Sequence, residues 1–170
     1  MLLSATAFAQ PPLPGRVLRA IDGDTLVLDV RGGRFEVDLD GIDAPESNQP
    51  WGDAATASLQ RALVGAFVVV DVQPGSRGQP VRGSIDFKGR DLALDLLHDG
   101  LAWSTVGVDT SGRQDDRDAR ASTAGGEPAN DPEHPYTLAE RDAREARRGL
   151  WSDPLAIPPW QWRRYGGVRR

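Results

Sequence analysis

Between residues 15 and 43 the apolar side chains are spaced for strands, and no other feature restricts the fold of this chain as tightly. Leu26, Leu28 and Val30 alternate, then Phe35, Val37 and Leu39 alternate, and Arg31-Gly32-Gly33-Arg34 between them is a hairpin turn. Val17, Leu18 and Ile21 add a strand ahead of the turn Asp22-Gly23-Asp24-Thr25, so three strands form a meander. The period then changes. Over residues 50–64, Ala55, Leu59, Ala62 and Leu63 fall on one helical face, and Gly65 ends the helix. A continuous β-branched run over 66–72 predicts a buried strand, and 81–87 predicts a fifth, after which no strand is expected.

A short helix over 91–98 groups Leu92, Leu96 and Leu97 and stops at Gly100. Residues 107–135 are polar and aperiodic and read as a mobile loop. A last helix over about 137–148 aligns Ala139, Ala143 and Ala146 and sets Glu140 four residues before Arg144. The Trp- and Pro-rich residues 150–165 are expected to pack across the domain. Five strands with a helix between the third and fourth predict an α+β fold, a five-stranded OB-type Greek-key β-barrel with three helices.

Length allows one good core and not two, so residues 10–170 read as a single domain. Residues 1–9 are apolar and small and end in Ala7-Phe8-Ala9, which reads as a residual signal peptide and a secreted or periplasmic protein. No run of about eighteen apolar residues occurs, so no membrane span is expected. A monomer is expected. With no cysteine, stability rests on packing, and any metal must take oxygen or imidazole ligands. A net charge of −5 argues against a pure nucleic-acid binder, whose affinity is dominated by Lys and Arg on phosphates. Lys88 is the sole lysine, and Arg163, Arg164, Arg169 and Arg170 gather in the tail, so any electrostatic footprint is local.

Asp24 lies just before the second strand and Asp43 just after the third, so pairing of the two strands brings both carboxylates to one end of the barrel. Two converging carboxylates, a backbone carbonyl such as that of Ala44, and water make a hard-oxygen site that suits Ca²⁺. Glu46, held three residues on by Pro45, is placed to orient or deprotonate a water attacking phosphorus. Taken singly, each acidic turn reads first as an ordinary Asp/Gly/Pro turn closing a strand.

Taken in order, Ile21-Asp22-Gly23-Asp24-Thr25, Gly41-Ile42-Asp43-Ala44-Pro45-Glu46, Gly100-Leu101-Ala102-Trp103, Gly149-Leu150-Trp151 and Ile157-Pro158-Pro159-Trp160 resemble the staphylococcal nuclease (thermonuclease) family over about residues 15–164. The resemblance implies an OB-fold, a secreted Ca²⁺-dependent endonuclease or phosphodiesterase, and DNA or RNA as substrate. It implies Asp24 and Asp43 as metal ligands, Glu46 as general base, and Asp22 with Thr25 behind them.

Two departures bear on activity. Where the family carries an arginine in the strand before the second acidic turn, this chain has Asp38. The family's second arginine, nine residues before the glycine that precedes the short helix, falls in register on Pro80, with Arg82 and Arg77 nearest. Such arginines stabilise charge developing on phosphoryl oxygens, and losing one donor of that kind costs about 10²- to 10³-fold in rate. Arg82 alternates with Val81 and Gly83 and is the best replacement clamp, or else a surface ion pair. Asp38 is either a like charge facing the substrate or a strand residue opposite or diagonal to Arg31 or Arg34. Trp103, Trp151, Trp160 and Trp162 are expected to be buried rather than stacked on bases, and His98 and His134 are not ligand candidates. The expected enzyme is therefore a metal-dependent nuclease with reduced activity or one rewired around Arg82. The alternatives are a catalytically inactive OB-fold binding or interaction module that keeps the metal turns, and an intact domain acting on another anionic substrate.

Overall fold

Leu26 and Leu28 are wholly buried on β2 (Thr25–Val30), and their alternation pins that strand between β1 (Leu13–Ala20) and β3 (Gly33–Leu39). These elements belong to a computed structural model that describes residues 11–73, 80–108 and 131–166. The signal reading of residues 1–9, Arg77, residues 109–130 of the polar stretch, and Arg169 and Arg170 lie outside the described residues.

The strands run antiparallel in the order β3-β2-β1, then β5 (Phe67–Val72) and β6 (Val81–Phe87), and a parallel pairing of β3 with β6 closes the five into a barrel. Val17, Leu28, Val37, Leu39, Val68, Val70 and Ile85 fill its interior. Each fully buried side chain of this size contributes about 1.5–3 kcal/mol of apolar driving force. The strand expected to be buried on both faces is not. On β5, Val68 and Val70 point inward while Phe67 is 73% exposed, so the β-branched run is a one-sided strand. Pairing also continues past β6: the two-residue strands β4 (Ile42–Asp43) and β8 (Trp103–Ser104) pair with each other, and β7 (Arg90–Asp91) returns along β6. None is long enough to show a period in sequence.

Helix α1 (Gly52–Leu63) buries Ala55, Leu59 and Leu63 at four-residue spacing and packs on β1. Helix α2 (Leu92–His98) starts where the Asp91 carboxylate accepts from the N–H groups of Ala93 and Leu94. Helix α3 (Pro135–Glu145) begins inside the stretch expected to be a mobile loop: His134 caps it through Nδ1, and Pro135 suits its first turn. Its Ala139 and Ala143 allow close approach to α2. The expected Glu140–Arg144 pair forms at 2.6 Å. A fourth helix, α4 (Pro159–Arg164), lies in the Trp/Pro-rich tail and buries Trp162. Trp103 is buried edge-on to Trp151, and Arg144 lies 3.6 Å above the Trp151 ring. Among the described residues no helix is long and apolar enough to cross a membrane.

Candidate active site

The turn between β1 and β2 is shaped by Asp22, whose Oδ1 accepts from the N–H groups of Asp24 at 3.2 Å and Thr25 at 2.7 Å. Gly23 sits where a Cβ would come within 2.7 Å of the Cβ atoms of both Ala44 and Ala55. Only glycine lets this turn lie against α1 and the second acidic turn. Asp24 Oδ2 then accepts from the Ala44 N–H at 2.6 Å, and Thr25 Oγ1 lies 3.4 Å from Asp24 Oδ1. The two acidic turns expected to share one end of the barrel are thus joined directly.

The second turn is held from its other side. The Gln49 side chain is buried, accepts from the Glu46 N–H at 3.2 Å and donates to the Ile157 carbonyl at 2.5 Å. A Cβ at Gly52 would stand 2.0 Å from the Glu46 carbonyl oxygen, so α1 starts in contact with the backbone that presents Glu46. Asn48 Oδ1 accepts from Trp162 Nε1 at 3.0 Å. The segment between Glu46 and α1 is in this way fastened to the C-terminal tail.

That fastening brings in a residue the sequence reading counted only as tail charge. Arg163 on α4 donates through Nη2 to Asp43 Oδ2 at 2.7 Å, and through Nη1 to Asp43 Oδ1 at 3.2 Å and to Glu46 Oε1 at 2.5 Å. One guanidinium spans both carboxylates. The hydrogen bond to Asp43, and then that to Glu46, hold Arg163 charged above the ordinary arginine value against the opposing effect of burial. The available signal was charge balance: a pocket that gathers Asp22, Asp24, Asp38, Asp43 and Glu46 needs a cation from elsewhere.

Asp38 has different neighbours from those expected. Arg34 stands opposite Asp29, whereas Asp38 pairs with Thr25 on β2 and with Arg82 on β6. The parallel β3–β6 pairing that closes the barrel created that contact, and a meander reading cannot see it. Burial pushes the Asp38 carboxyl up, with Arg82 opposing and Asp22, Asp43 and Asp40 adding to the rise. Arg82 lies 3.4 Å from Asp40 and keeps about half its side-chain surface in solvent. Gln73 also bonds to Asp40. Burial likewise raises Asp24 well above its ordinary value, opposed by the Ala44 N–H and assisted by Asp22. Asp43 is raised by burial despite Arg163.

The pocket therefore gathers carboxyl groups whose charged forms are penalised by burial, a cost that a nearby cation offsets. As donors for a hard divalent ion, Asp24, Asp43 and the Ala44 carbonyl are suitable in kind. Among the described residues no three or more His, Cys, Asp or Glu side chains form a cage by themselves. The cation that stands on Asp43 in the structure is the Arg163 guanidinium. His98 and His134 stay outside the pocket: Arg148 bonds the His98 backbone carbonyl at 2.6 Å and His134 caps α3. A cavity of about 670 Å³ is lined in part by Asp40, Gln73, Asp91 and Tyr136, and not by the carboxylates of the two acidic turns.

A family model described as staphylococcal nuclease homologue matches residues 36–125. Protein ParB of Escherichia coli is 32% identical over all of this chain and 89% of its own length. A micrococcal nuclease of Shigella flexneri is 32% identical over 96% of this chain and 87% of its own. An uncharacterized endonuclease of Escherichia coli is 30% identical, covering 88% of this chain and 84% of that protein.

Proposed function

As the chain belongs to the staphylococcal nuclease family, we propose that it is a nuclease, a hydrolase that cleaves phosphodiester bonds in DNA or RNA with a divalent cation, Ca²⁺ by preference. The observation that supports this reading most is the Asp24–Ala44 bond, which joins two acidic turns twenty residues apart in sequence. Asp24, Asp43 and the Ala44 carbonyl would hold the ion, with Asp22 and Thr25 fixing the Asp24 carboxylate. A bound cation would polarise the phosphoryl oxygens and the attacking water.

The remaining chemistry belongs to side chains. Glu46 accepts a proton from water as the water oxygen bonds to phosphorus and the bond from phosphorus to the leaving ester oxygen breaks; the departing oxygen is protonated from solvent. Arg82 supplies positive charge at the rim beside Asp38. Asp38 opposes the approach of phosphate, so activity is reduced relative to a site with arginine there.

Cleavage of denatured DNA and of RNA, with Ca²⁺ or with chelator, beside Asp43→Asn, tests the reading. Cleavage is expected to need the ion and to fall at least about 10²-fold in the variant. Cleavage indifferent to both chelator and substitution would overturn it. A second reading, an inactive OB-fold binding module, is favoured by Arg163 spanning Asp43 and Glu46 as a structural tie. Nucleic-acid binding without cleavage, in a folded protein with Ca²⁺, would establish that one.

A further inference from the structure

The site described above has a cation that neither the strand pattern nor the acidic turns account for. We propose that Arg163 is the residue that grips the scissile phosphate in this protein, carried by α4 in place of an arginine on the strand at position 38. This rests on the nuclease reading and adds to it the source of the missing positive charge.

Arg163 is not a stray tail residue. Trp162 beside it is buried and bonded to Asn48, and Gln49 ties Ile157 to the Glu46 backbone, so α4 is fixed to the very turn that presents Asp43 and Glu46. Its backbone is held while its guanidinium is not enclosed: 48% of the side-chain surface remains exposed, leaving room for the long stem to pivot. The planar fork that meets two carboxylates also matches the paired oxygens of a phosphodiester. An ion on Asp24 and Asp43 would take the Asp43 oxygens that Arg163 now holds and free the fork to turn toward phosphate. Glu46 would be released to water in the same movement. Arg82 is less well placed for this role, since Asp40 and Asp38 flank it.

Without Arg163, Asp43 and Glu46 would face a substrate without the guanidinium that now pairs with both. A purely structural tie would make the opposite demand: it would need Arg163 to stay on the carboxylates throughout.

The two roles separate in ion affinity and rate. Calorimetric titration with Ca²⁺ should show Arg163→Ala binding the ion about tenfold more tightly, because a competing cation has left Asp43. Its cleavage rate at saturating substrate should fall about 10²- to 10³-fold. Arg163→Lys, which keeps charge and stem but not the fork, should fold normally and still lose at least about tenfold in rate, and it carries the test if the alanine variant unfolds. Wild-type cleavage by either folded variant would overturn the proposal, as would Ca²⁺ affinity in Arg163→Ala equal to or below that of the parent. Asp43→Asn serves as the reference: if it too binds Ca²⁺ and cleaves like the wild type, the site reading itself fails. If Asp43→Asn is inactive while Arg163→Ala is fully active, only the role of Arg163 fails.

Discussion

Asp24 Oδ2 accepts the Ala44 N–H at 2.6 Å, and this bond couples the two acidic turns on which the site is built. Its acceptor is a carboxylate whose charged form is penalised by burial. The bond therefore holds the pocket together while the pocket's charge works against it.

A pH dependence follows. Asp24, Asp38 and Asp43 all have folded-state pKa values raised by burial, so each favours the folded state most at acid pH and loses that contribution as pH rises through its raised value. In chelator these groups should make the protein melt at a lower temperature at pH 8 than at mildly acid pH. Asp24→Asn, which keeps an acceptor for Ala44, should flatten that dependence and raise Tm at pH 8. Ca²⁺ should raise the Tm of the wild type in the same melts and fail to raise that of Asp24→Asn.

Gly52→Ala should be costly. The added Cβ would stand 2.0 Å from the Glu46 carbonyl oxygen, and that obstacle is backbone, which cannot rotate away. A destabilisation of about 3 kcal/mol in denaturant unfolding is expected, together with reduced cleavage in the folded fraction because Glu46 is displaced.

Asp38→Arg should raise cleavage about tenfold, a gain of roughly 1.4 kcal/mol in barrier. Asp22, Asp40 and Asp43 surround the position and would accommodate the new charge despite Arg82 beside it. An unchanged rate in a correctly folded variant would show that position 38 is structural only.

Arg82→Ala should cost less than about 1 kcal/mol of stability, since its contact with Asp40 is half exposed. Its cleavage rate should nonetheless fall by about 10²-fold if it acts at the rim. Full activity after the substitution would exclude it as a clamp.

The barrel was legible because its signal is local: the spacing of apolar residues on β2, β3 and α1 is set by neighbours in the chain, and on β3 the burial of Val37 and Leu39 on one face forces the register. Exposure of Phe67 was not legible, since a run of β-branched residues looks alike whether one face or both are covered. The start of α3 was missed because its signal is a histidine cap and a proline at the edge of a polar stretch.

By itself the amino-acid order determined the strand meander, the joining of two acidic turns at one barrel end, and an aspartate at position 38 of the strand before the second turn. Each follows from spacing within a few residues or from pairing of adjacent strands. Only the tertiary structure decided which cations face those carboxylates. Arg82 reaches Asp38 through the parallel β3–β6 pairing that closes the barrel, and Arg163 reaches Asp43 across 120 residues because α4 docks on the turn beside Glu46. Charges so far apart in sequence meet only when packing of the intervening chain places them, and no local period encodes that meeting.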